Sequence, residues 1–366
     1  MATVNEQLLD ADITHQVELE AYKNGVVSRM IALMSRVDDD LVAQLTIALD
    51  RMPTSQFNID RLESLLSSVR AINDNLYAQM TNDLQAELKD FAEYEVNYQG
   101  DLFKTVLPPQ VLYATVVPEQ VYTAALSRPF QGKLLSEWMQ SIEETQAVKV
   151  RDAVRMGYVE NQTIDQIVKR IRGTKALNYR DGVLDISKRN AQTIVRTAVG
   201  HMAATTKDAF YGANDDIITS WMWHSTLDGR TSDICISRDH KLYTKDEPHR
   251  PIGHNLQWLG GPGRAHFNCR SGKVAVLKSW RELGLDVDVS PSTRASMDGQ
   301  VPDDMSYAEW LKKKSASFQD EVLGKTKGKL FREGMPIDRF VNNQGVTYTL
   351  DELRKRDTEY FKRAGL

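Results

Sequence analysis

The chain has 366 residues, of which 41% are hydrophobic, with a net charge of -4 and a mean hydropathy of -0.44. That length exceeds one ordinary globular core, and the polar average predicts much solvated helix surface. The small net charge argues against a general polyanion binder, and no apolar run reaches the roughly 18–20 residues of a membrane helix. Two cysteines exclude a disulfide framework of the secreted kind.

The first residues, MATVNEQLLDADITHQVELE, are acidic where a secretory signal would be basic and then apolar. The expectation is a soluble protein made in the cytoplasm. Leu41, Leu45, Leu49 and Met52 predict a helix, with Met52-Pro53-Thr54 as the turn after it. From about Asp60 to Val96, residues such as Leu62, Leu66, Val69, Leu76, Met80, Leu84, Leu88 and Phe91 recur every three or four positions. This spacing predicts a long amphipathic helix folding back on the first, an elongated hairpin over residues 1–100. Plain helix packing accounts for the stripe without a cofactor.

Prolines 108, 109, 118 and 129 mark a boundary at 101–135. Residues 136–282 then read as helices followed by a small sheet. Leu134, Trp138, Ile142 and Val148 predict one helix, with Gly157 placed to end it. Thr163 and Gln166 form a capping box before Ile164, Ile167 and Ile171, closed by Gly173. A third helix runs from about Ile186 to Phe210. ITSWMWHST and SGKVAVLK predict strands, Asp228-Gly229 a tight turn, and Glu247–Gly263 a long Pro/Gly loop. Residues 283–306 read as linker and 307–366 as a basic C-terminal segment. The predicted fold is mostly α with a small α+β module: an elongated N-terminal helical hairpin, a helical middle and a short antiparallel β portion.

The most informative stretch is Trp223–Arg270, which holds both cysteines and five of the seven histidines. Arg196-Thr197 in a helix is followed by the strand carrying Trp223, by Asp228-x-Arg230-Thr231-x-x-x-Cys235, by the Pro/Gly loop and by His266-x-Asn268-Cys269-Arg270. This order resembles the phage Mu F-like minor head protein family over about residues 135–350. Tyr307-x-x-Trp310-Leu311 and Val322-Leu323-Gly324-Lys325 are similar to the tails of those proteins. Members often carry a third cysteine at the end of the last central piece, where this chain has Ser271.

The resemblance implies a minor head protein of a tailed bacteriophage, made in the host cytoplasm and placed in the virion's capsid interior. Such a protein acts in head morphogenesis, and in genome packaging or ejection, beside the portal and without enzymatic activity. It further implies portal, capsid or scaffold proteins and packaged double-stranded DNA as partners. A virion-carried enzyme or toxin-like effector of the nuclease class is one alternative, and a soluble, non-specific DNA-binding adaptor is another. The basic segment 307–366 lacks a complete acid/base or nucleophile set, which argues against an attached effector domain.

Three readings fit Cys235, His266 and Cys269. They are ligands of a structural zinc ion, with His240, His254 or Asp228 as the fourth; or buried small residues in a scaffold braced by Asp228, Arg230, Thr231, Arg196 and Arg270; or part of a thiol or nuclease site. Residues 307–366 carry 13 Lys/Arg against 9 Asp/Glu. Lys312, Lys313, Lys314, Lys325, Lys327, Lys329 and Arg332 are therefore either a weak DNA contact or a solvated basic face.

Overall fold

The computed structural model describes residues 4–50, 59–278, 293–302 and 304–366. The turn expected at Met52-Pro53-Thr54 lies outside them. The helices are α1 (Val4–Asp50), α2 (Ile59–Val106), α3 (Pro118–Ser127), α4 (Leu135–Val159), α5 (Ile164–Arg172) and α6 (Val183–Ala213). The sheet region follows, with β1 (Ile218–Ser225), α7 (Asp233–Ile236), β2 (Leu242–Thr244), β3 (Pro251–Ile252) and β4 (Ser271–Leu277). Next come β5 (Thr293–Ser296) and β6 (Gly299–Pro302), then α8 (Tyr307–Lys312), α9 (Ala316–Leu323), α10 (Lys325–Arg332), α11 (Leu350–Arg356) and α12 (Thr358–Arg363). The fold is mostly α with a small antiparallel β module, as the periodicities predict.

The chain forms two compact units, each built from separated segments rather than from consecutive ones. One comprises Lys23–Asp90 and Leu126–Val199. Its core joins Leu41, Leu45 and Leu49 of α1 to Leu66 and Val69 of α2, with Val150 and Val154 of α4 and Ile167 and Ile171 of α5. Arg29 reaches Glu87 through two bonds of 2.7 and 2.6 Å, consistent with antiparallel pairing of α1 and α2. Thr163 and Gln166 cap α5 reciprocally, and Gly173 closes that helix at φ +94°. Gly157 does not end α4. It lies inside the helix, and an added Cβ there would fall 2.3 Å from Ile167 Cγ1. Close approach of α5, rather than helix termination, explains this glycine.

The other unit comprises Met1–Tyr22, Phe91–Ala125 and Gly200–Leu366. Leu8, Leu9 and Ile13 of α1 and Phe103 of α2 share a core with Phe210 and Tyr211 of α6 and with Trp221, Val274 and Leu277 of the sheet. The strands run in the order β3-β2-β1-β4, all antiparallel, so β1 is central and buried. A β-branched and aromatic strand suits that position, where both faces find apolar partners. Asp228-Gly229 lies in a turn, as expected, at the start of the loop of residues 226–241 that carries α7 between β1 and β2. Within the stretch read as linker, β5 and β6 make an antiparallel hairpin. Beyond it, Tyr307, Trp310, Leu311, Leu330, Phe331, Phe340 and Leu353 form a separate core with Leu227 and Ile236. The C-terminal segment is thus packed on the loop that follows β1.

Candidate functional site

The register of β1 and β4 puts Ser225 opposite Ser271. The loop leaving β1 and the loop entering β4 therefore begin as neighbours, and they stay joined. The Thr226 N–H and hydroxyl both donate to the Arg270 carbonyl, at 3.0 and 2.9 Å. Asp228 Oδ1 accepts the N–H groups of Arg230 (2.9 Å) and Thr231 (3.1 Å), a side-chain turn that fixes the loop's first bend. Its other oxygen pairs with the Arg270 guanidinium, which also holds Glu20 of α1. Thr231 donates to the Thr226 carbonyl at 2.7 Å. Arg230 contributes its backbone N–H while the residue itself is exposed.

Ser232 caps α7 and so places Cys235 in the first turn of that helix. From the opposite loop come His266 and Cys269, with exposed Asn268 between them in the left-handed region at φ +56°. Asparagine tolerates that conformation. The two sulfurs lie 3.6 Å apart, and Cys235 Sγ lies 3.1 Å from His266 Nε2. Ser232 Oγ is 2.8 Å from the same nitrogen. His266 Nδ1 donates to the Phe267 carbonyl at 2.7 Å, leaving Nε2 facing the sulfurs. Trp223 and Tyr243, with partly buried Trp258 and Ala265, enclose the cysteines.

Burial pushes the Cys235 thiol up, and the neighbouring Cys269 acts in the same direction. The hydrogen bond from Cys235, aided by His266, holds Cys269 well below the ordinary thiol range. Burial alone would lower His266, but the hydrogen bond and charge of Cys269 leave it raised.

The candidate residues divide as follows. Asp228, Arg230, Thr231, Cys235, His266, Asn268, Cys269 and Arg270 occupy the two joined loops, and Trp223 lies on β1 beside them. Arg196 lies on α6 within the other compact unit. Bracing of the Pro/Gly loop comes from residues that the sequence motifs do not mark. Fully buried Arg238 donates to the carbonyls of Gln257 (2.9 Å) and Ile234 (2.9 Å). Arg264, just past the loop, binds Asp208 at 2.5 Å and Thr205 at 2.8 Å, both on α6. Lys273 shares Asp208 with it.

The proposed fourth zinc ligands are engaged elsewhere. Asp228 serves Arg270, His240 Nδ1 meets Asp239 at 3.0 Å, and His254 spans the Leu242 carbonyl and the Leu256 N–H. Among the described residues, the group with metal-holding geometry is Cys235, His266 and Cys269.

A buried polar cluster also escaped the motifs. Asp12 of α1 pairs with Lys207 of α6 and with His224 of β1, all three buried. Burial would raise Asp12, yet the charges of Lys207 and His224 depress it far below the carboxylate range. A signal exists in hindsight of helical spacing: Asp12 falls four residues after Leu8, on the apolar face of α1. Of the basic candidates, Lys314 pairs with Asp298, Lys327 with Asp233 (2.6 Å) and Arg332 with Asp320 (2.9 Å). Lys312, Lys313, Lys325 and Lys329 are exposed.

Helices feeding a small loop-rich sheet, with two polar loops joined by a partly buried ion pair and a thiol–imidazole cluster, define a scaffolded α+β module. A family model described as phage Mu protein F like protein matches residues 147–273, which end in β4 and include both loops. The chain therefore carries a phage Mu F-like region, and the match supports a phage protein of the head-morphogenesis kind. No curated protein and no solved structure matches the chain. No described helix is long and apolar enough to cross a membrane.

Proposed function

We propose that this chain is a minor head protein of a tailed bacteriophage. It acts in the capsid interior beside the portal, in head morphogenesis and in genome packaging or ejection, through binding rather than catalysis. The observation that carries this reading is the family match across residues 147–273, which takes in the two loops joined by Asp228 and Arg270. A non-catalytic role is supported by the cluster's surroundings. Both thiols are buried, and His266 spends one nitrogen on a carbonyl and turns the other toward Ser232 and Cys235.

Portal and capsid or scaffold proteins are the proposed protein partners. Packaged duplex DNA is a weak, sequence-independent one, contacted by the exposed lysines of α8, α10 and the α8–α9 turn through counterion release. Heads assembled with and without portal test the portal assignment. The protein is expected to co-purify with portal and to be depleted from portal-less heads. Normal incorporation into portal-less heads overturns it.

A further inference from the structure

We propose that Cys235, His266 and Cys269 bind one soft divalent metal ion, zinc, as a structural centre that clamps the two loops flanking β1 and β4. Zinc bonds of about 2.3 Å to sulfur and about 2.0–2.1 Å to nitrogen set tetrahedral edges of about 3.8 Å between sulfurs and about 3.5 Å between sulfur and nitrogen. The observed separations, 3.6 and 3.1 Å, require movements of only a few tenths of an ångström. A disulfide would need the sulfurs at about 2.05 Å, and Cys235 and Cys269 are not joined.

The imidazole is oriented as a metal ligand commonly is. Its Nδ1 proton is committed to the Phe267 carbonyl, so Nε2 is the nitrogen that faces the thiols and would hold the ion. The ligands also come from two segments far apart in sequence. Cys235 sits on a helix of only four residues, and His266 and Cys269 lie in an irregular run before β4. A bound ion would add a cross-link between these segments to the hydrogen bonds and ion pair that already join them.

Three protein donors leave one tetrahedral corner for a hydroxyl or water. Ser271 is buried, two residues from Cys269, and its hydroxyl bonds Cys235 and Ser225 (2.9 Å). It opens β4, directly after the run that carries Cys269. Binding displaces the Cys235 thiol proton and any proton on His266 Nε2, both to solvent, and no redox change occurs.

The inference is independent of the virion reading and is tested on the full-length purified chain. Protein prepared without chelators or an affinity metal is expected to hold about one zinc per chain by elemental mass spectrometry, and Cys269→Ser to hold less than a tenth of that. Cobalt titration of the metal-stripped chain should give a sulfur-to-cobalt charge-transfer band of two-thiolate intensity. Ser271→Cys, which keeps all three ligands, should raise that band by about half, and this readout survives even if Cys269→Ser fails to fold. Substoichiometric zinc in the wild-type chain together with absence of the cobalt band overturns the proposal. A band that persists unchanged in both Cys235→Ser and Cys269→Ser overturns it as well.

Discussion

Arg270 is the residue on which the joined loops turn. Its guanidinium is mostly buried and meets two carboxylates, Asp228 and Glu20, from different segments of the chain. Removing one partner of such a group leaves the others desolvated and unpaired, which costs more than the contact itself contributes. Arg270→Ala should therefore lower stability by about 3 kcal/mol, read as a drop in denaturant midpoint. Adding Asp228→Ala should cost less than the sum of the single changes, because the orphaned carboxylate is gone. Full additivity would show that the ion pair does not bridge the loops.

Asp12 makes a pH-dependent prediction. Its carboxyl is depressed in the folded state, so its contribution is present above the ordinary value of 3.8 and is lost only as pH falls below it. The stability gap between wild type and Asp12→Asn should hold from neutral pH down to about 4 and shrink below that. A gap that closes near pH 6 would contradict the Asp12–Lys207–His224 assignment. These residues were legible singly but not as a cluster. Asp12 and His224 are 212 positions apart, and nothing local to either names the other.

At the scale of elements, local signals carried well where a short-range contact decides the outcome. The Thr163–Gln166 box is of this kind, and Thr163→Ala should cost about 1 kcal/mol as an unfrayed α5 loses its cap. Gly157 shows the opposite case. Helix propensity alone favours alanine there by about 1 kcal/mol, yet its Cβ would overlap Ile167. Overpacking of about 1–3 kcal/mol should win, so Gly157→Ala lowers the melting temperature. A rise would mean that α4 and α5 separate easily.

The sheet was legible as strands but not as an order. The Asp-Gly pair marked a turn, which forms, but it could not show that β1 pairs with two strands that lie later in the chain, with the intervening loops held by Arg238 and Arg264. Tertiary hydrogen bonds of this range leave no periodic trace. The three-residue metal geometry was readable in residue type and in the His-x-x-Cys spacing. The fourth donor was not, because Asp228, His240 and His254 are drawn to other partners.

At the scale of the whole molecule, the Mu F-like region over residues 147–273 is followed by a C-terminal segment packed on the loop after β1. That segment's charge is partly spent internally, since Lys314, Lys327 and Arg332 are in ion pairs. DNA affinity should accordingly depend on the exposed set. Changing Lys312, Lys313, Lys325 and Lys329 to Gln should weaken binding to duplex DNA in low salt and flatten its salt dependence by up to about four contacts' worth. Unchanged affinity would remove this segment as the DNA contact.

The most direct test of the central claim is quantitative mass spectrometry of purified particles of the phage that encodes the chain, before and after genome release. The protein is predicted to be present at low copy in intact, nuclease-washed heads. Its absence from those heads, with the protein recovered only from the infected-cell lysate, would contradict a role inside the capsid.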